Sequence, residues 1–239
     1  MQYHFYHYNK LILLFFFVTT HIFTAEISSS QEALKITQKQ QIYLFSILKE
    51  SLMVVMQSDY KNPQKSKKVA IQNFEEGSHK LSHYLKENTL KKIEGKFILF
   101  KKKLSQPFNK NNGINYFSDA LFIEKSIKKY SFILNNHSKQ KLSKTIQSKY
   151  TLGVLSQKIN TLYLLKTLGV SKEIINPKMH KMMLTFKTSL QDIKNHRKIH
   201  KRLKKIYNFF QVMNSFDNYV PIMVTKKSNK MLNYANTLK

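Results

Sequence analysis

Two histidines, His196 and His200, stand four residues apart in a helically spaced stretch. On a helix that spacing sets both imidazoles on one face, as a pair of zinc ligands would be set. No third or fourth ligand accompanies them, and Arg197, Lys198, Lys201 and Arg202 surround them with charge that repels a cation. The pair therefore reads as part of an exposed basic face. Acid–base chemistry needs positioned carboxylates or histidines with shifted pKa values. The chain has 13 carboxylates, and its second half offers only Glu173, Asp192 and Asp217, with no pair at a recurring spacing. With no cysteine, disulfides, thiolate metal sites, cysteine nucleophiles and a lipidated N-terminal cysteine are excluded. Five glycines form no phosphate-cradling loop. Met182-Met183 and the Phe/Met stripes read as adaptable core packing, not a cofactor pocket. The expectation is a protein that is not an enzyme, with no cofactor and no metal.

What the chain holds in excess is lysine. Its formal net charge is +28, yet of 41 basic residues only Arg197 and Arg202 are arginine. Nucleic-acid and phosphate sites favour arginine, whose planar fork binds two acceptors at once. The lysines are also scattered along every segment, and Tyr and Phe fall mainly on apolar stripes instead of forming a stacking surface. No specific nucleic-acid partner is expected. The abundance of Lys, Asn and Ile fits the drift of an AT-rich genome. The charge still predicts weak attraction to anionic surfaces at low salt.

These residues must be positioned by helices, because no strand-like alternation occurs anywhere. Lys10 precedes the apolar run Leu11–Val18, and Thr24-Ala25 offers a small-residue exit before Glu26. That is the shape of a secretory signal peptide, 1–25. Leu11–Phe23 is shorter than the roughly 20 apolar residues of a spanning helix. A periplasmic or secreted location follows as an expectation. Apolar periodicity then predicts helices near 31–57, 64–86, 90–104 and 115–135, with Ser105–Gly113 as the clearest loop. Val170–Pro177 reads as a connection, with Pro177 where a helix begins. Met179, Met183, Phe186, Leu190 and Ile193 continue the helical spacing, as do Ile199, Leu203, Ile206, Phe210 and Met213. Period alone leaves open whether Asn195-His196 divides these into two helices. The last helix, about 218–238, carries Pro221 in its first turn, where its missing N–H is harmless.

A further periodic stretch is Ile146–Val170. Leu152, Leu155, Ile159, Leu162, Leu165 and Leu168 form one apolar stripe, and Gly169 stands where a left-handed cap stops a helix. Within it, Val154-Leu155-Ser156-Gln157-Lys158-Ile159, then Leu162-Tyr163-Leu164-Leu165 and Leu168-Gly169-Val170, resemble the signature of the PilJ/NarX-like sensor domain. That is the N-terminal domain of type IV pili methyl-accepting chemotaxis transducers and of nitrate-responsive sensor kinases. The family motif reads roughly I-N-x-A-G-R-Q-R-M-L-S-Q-R-I and ends in L-G-V. Ile146-Gln147 stands for its I-N and Leu155-Ser156-Gln157-Lys158-Ile159 for its L-S-Q-R-I, while Tyr150-Thr151-Leu152-Gly153 replaces its G-R-Q-R.

The resemblance implies a four-helix sensory module that binds a small anion or metabolite at its first helix, commonly across a homodimer interface. It also implies signalling through a membrane receptor or sensor kinase. The family's arginine positions hold Gly153 and Lys158 in the second half of the chain, and Gln41 and Ser46 in the first. Ser156, Gln157 and Lys158 are then the candidate ligand-binding residues, lysine acting as a point charge without the bidentate fork. Their competing reading is polar residues on a helix surface. Nitrate sensing does not carry over.

The two halves also resemble each other. Leu90-Lys91-Lys92-Ile93 recurs as Leu203-Lys204-Lys205-Ile206, with Phe97 matching Phe210. Ile47, Leu52 and Phe74 match Ile159, Leu164 and Phe186, and Lys125-Ser126-x-Lys128 matches Lys227-Ser228-x-Lys230. The expected fold is therefore all-α: tandem antiparallel four-helix bundles, 26–136 and 137–239, after the signal peptide. The second reading is a structural cationic helical protein that adheres to anionic envelope polymers or nucleic acid.

Overall fold

A computed structural model describes residues 30–82, 84, 87–138, 141–215 and 220–239. The expected signal peptide, 1–25, lies outside these residues. Among the described residues every regular element is helical, so the fold is all-α. The order is α1 (Ser30–Val55), α2 (Pro63–Ser82), α3 (Glu87–Leu104), a 3-10 turn (Lys110–Asn112), α4 (Gly113–His137), α5 (Lys144–Thr167), α6 (Lys172–Asp192), α7 (Arg197–Ser215) and α8 (Pro221–Asn236). No helix among the described residues is long and apolar enough to cross a membrane.

Local chemistry sets the boundaries. The Asn109 side chain accepts the Asn111 N–H at 2.9 Å and opens the 3-10 turn inside the expected 105–113 loop. Ser143 caps α5 by accepting from Ile146 N. Gly169, at φ 86°, ends it in the left-handed conformation that glycine adopts without strain. Pro221 takes the first position of α8. The open question at Asn195-His196 resolves into two helices, since α6 stops at Asp192 and α7 starts at Arg197. Pro177 corrects the sequence expectation: α6 begins at Lys172, and the proline lies inside the helix. It deprives only the Glu173 carbonyl of a partner, and both residues lie on the exposed face, where water replaces the missing N–H.

The helices pack as neighbours in sequence and in pairs that close back on themselves. α1 touches α2 and α4, and α3 lies between these two; α5 touches α6 and α8, and α7 lies between those. The two sets meet along α1 and α5. These two helices run in the same direction, because Leu34 clusters with Leu142 and Ile146, and Phe45 faces Lys158. The main apolar core draws residues from all eight helices and is continuous between the halves.

Burial follows the sequence repeat closely in two places. In α3 and α7, buried Leu90, Ile93 and Phe97 correspond to buried Leu203, Ile206 and Phe210. In α2, Phe74 and Leu81 correspond to Phe186 of α6 and to Ile193, which caps its C-terminus. The ring of Phe74 stacks on Phe97 at 4.0 Å, and Phe186 meets Phe210 at 6.5 Å in the equivalent place. In α4 and α8 the tetrapeptide match is one residue out of register. Ser126 is half-buried and Ser228 fully buried, whereas Ile123, Glu124 and Ile127 share a burial pattern with Val224, Thr225 and Ser228.

Candidate ligand-binding cleft

Helix α5 is a core helix along most of its length. Every residue from Leu152 to Lys166 is buried, because α1, α6 and α8 cover it on all sides. Ser156, Gln157 and Lys158 therefore do not lie on a helix surface, which corrects that reading of them. Their polar atoms are met inside the protein. Ser156 Oγ donates to the Gly153 carbonyl at 2.7 Å, and Gln157 Nε2 donates to Ser156 Oγ at 2.9 Å. The Ser156 carbonyl accepts from Ser228 Oγ of α8 at 2.5 Å. One helical turn on, Asn160 Nδ2 donates to Thr225 Oγ1 at 3.1 Å. Gln157 Oε1 is buried without a hydrogen-bond partner among the described residues.

Of the three, Lys158 alone lines a cavity. A cleft of about 640 Å³ opens between α1, α4, α5 and α6. Lys158 Nζ donates to Glu124 Oε2 of α4 at 2.6 Å and lies 4.6 Å from the Phe45 ring centroid. Both charged side chains are almost wholly buried, Lys158 at 6% exposure and Glu124 at 4%. The other Glu124 oxygen faces Lys128 Nζ at 3.0 Å, and Lys128 is itself exposed. Lys178 and Lys181 of α6 complete the rim. Burial pushes the Lys158 ammonium below the usual lysine range; Glu124 opposes that, while Lys128 and Lys181 reinforce it. Phe117, Leu121, Val154, Leu155 and Met182 supply the apolar wall.

The motif-equivalent positions are divided by the fold. Gln41 lines the same cleft as Lys158, so each half contributes one position to it. Gly153 does not line it. A β-carbon there would come within 2.7 Å of Ile42 Cδ1 and 3.3 Å of Leu232 Cδ1, so apolar side chains fill the space beside it. Ser46 does not line the cleft either.

The sequence pattern gave no sign of Glu124, Lys128, Lys178 or Lys181, whose charges are unremarkable among so many lysines. His196 and His200 gain no third ligand. Among the described residues no group of three or more His, Cys, Asp and Glu could hold a metal ion. A buried lysine–carboxylate pair beneath a lysine rim can receive an anion as a point-charge site, with the neighbouring wall covering an apolar body. No protein-family model, no curated protein and no solved structure matches the chain.

Proposed function

We propose that this chain is a non-enzymatic, sensory-type helical module, working in the periplasm or outside the cell, that binds a small anionic ligand between α1, α4, α5 and α6. The observation that carries the reading is Lys158, a buried ammonium at a cleft bearing four lysines against one carboxylate. Buried charge is costly and seldom retained without a partner or a task. The same-direction pairing of α1 with α5, and the matched burial of α2 with α6 and α3 with α7, support a duplicated pair of four-helix bundles of PilJ/NarX-like type. In such a pair two first helices lie side by side within one chain, so the ligand meets both halves. A signal would leave by docking to a membrane receptor or sensor kinase.

A thermal-shift screen of small anions at fixed ionic strength tests this. A ligand that binds only the folded state raises the melting temperature. The shift should shrink in Lys181→Glu, an exposed rim substitution. No shift with any anion would overturn the reading. The second reading, adhesion to anionic polymers, is favoured by one observation: α3 and α7 each present an exposed lysine face, Lys91, Lys92, Lys102 and Lys103 on one, Lys198, Lys201, Lys204 and Lys205 on the other.

A further inference from the structure

We infer that the ligand of this cleft is a monocarboxylate with an aliphatic or aromatic body, and not an inorganic anion; the inference rests on the cleft being the binding site. Volume gives the first argument. A water molecule's share of liquid is about 30 Å³, so an inorganic oxyanion a few waters in size occupies roughly 100 Å³. The cleft offers about 640 Å³, within the range of sites that bury organic molecules. The remainder is bounded by Phe117, Leu121, Leu155 and Met182, side chains that gain nothing from an inorganic ion and gain burial from a hydrocarbon.

The second argument is the hydrogen-bonding capacity of Lys158. An ammonium carries three donors, and Glu124 takes one of them. The side chain is already held between Glu124 and the Phe45 ring, so little freedom is left to lose when a carboxylate arrives. The apolar wall also sets the charge of the guest. One negative charge is drawn by Lys158, Lys128, Lys178 and Lys181, while a second, at the far end of the body, would be desolvated against Phe117, Leu121, Leu155 and Met182. Lysine suits this task, since a single carboxylate needs no planar fork.

Calorimetric titration of the full chain with octanoate, acetate, nitrate and succinate, at one ionic strength, tests the inference. Three variants accompany it: Lys181→Glu on the rim, Leu121→Glu on the half-buried apolar wall, and Ile98→Glu on the exposed apolar surface of α3 as a control. Octanoate is expected to bind at least tenfold more tightly than acetate, nitrate or succinate. Lys181→Glu should weaken every anion and leave the preference, Leu121→Glu should abolish the preference, and Ile98→Glu should change neither. Equal affinities for octanoate, acetate and nitrate, all weakened by Lys181→Glu, would overturn the monocarboxylate inference and leave the cleft standing as an anion site. Binding that ignores Lys181→Glu and Leu121→Glu, or that is lost in Ile98→Glu, would overturn both. So would the absence of any binding.

Discussion

At the scale of single residues, the Lys158–Glu124 pair sets the strongest constraint. Removing Lys158 leaves the buried Glu124 with the exposed Lys128 as its remaining ion-pair partner, so Lys158→Met should cost roughly 3 kcal/mol in denaturant unfolding, the low end for a broken buried pair. Lys158→Met combined with Glu124→Gln should recover most of that loss, because neither charge is then left alone in the core. The pair also has a pH signature. Since the folded-state pKa of Lys158 is depressed, the unfolded chain binds more protons between that lowered value and the ordinary 10.5. Wild-type stability should therefore rise with pH across this window relative to the double variant. The phenols of Tyr43, Tyr130 and Tyr150, held above their usual range by burial, cancel in the difference. A flat difference curve would contradict the assignment. Gln157 should behave otherwise. Its Oε1 is an orphaned buried acceptor that does not line the cleft, so Gln157→Leu should be neutral or stabilise by about 1 kcal/mol without altering anion affinity. The sequence marked Ser156, Gln157 and Lys158 together. It had no means of separating them, because which lysine is buried depends on Glu124, distant in sequence and adjacent only after folding.

At the scale of elements, α5 organises the molecule because it is covered on every side. Its periodic leucines identified the helix correctly, while the polar residues between them suggested a solvent face that does not exist. Those residues are tolerated inside because several bond back onto their own helix: Ser156 to the Gly153 carbonyl and Thr161 to the Gln157 carbonyl. Such local bonds leave no trace in a hydrophobic pattern. At Gly153 an added β-carbon would meet Ile42 Cδ1 at 2.7 Å, so a long side chain there gives a sharp test. Gly153→Arg would drive a guanidinium against Ile42 and Leu232, and should destabilise by on the order of 3–5 kcal/mol. Gly95→Ala is the contrasting case: nothing lies within 4 Å of the added carbon on the exposed face of α3. It should stabilise by about 0.5–1 kcal/mol, since alanine removes the entropic cost of a mid-helix glycine. Thermal or denaturant unfolding of the two variants reads both outcomes. The proposed repeat rests on the aromatic positions. Phe74 and Phe97 pack against each other, as do Phe186 and Phe210, so ring spacing and burial agree, while the lysine-rich match between α4 and α8 sets half-buried Ser126 against buried Ser228 and is one residue out of register.

At the scale of the whole molecule, the halves share one core through α1 and α5, and the lysines divide into two populations. Most lie on exposed faces, where their attraction for an anion is screened within about 8 Å at physiological salt. Lys158 lies at a desolvated site and is screened far less. Affinity for an anionic polymer such as polyglutamate should therefore fall steeply as salt rises from low to physiological concentration, while affinity for octanoate should fall much less. Parallel titrations over the same salt range separate the two. The most direct measurement is NMR of the lysine side-chain nitrogens during an octanoate titration. The Lys158 ammonium is buried and hydrogen-bonded to Glu124, so it should exchange slowly with water and give its own signal. That signal should move and saturate together with those of Lys181 and Lys128 on the cleft rim. If Lys158 stays fixed while exposed lysines across the surface shift in common, the cleft is not where this protein meets its ligand.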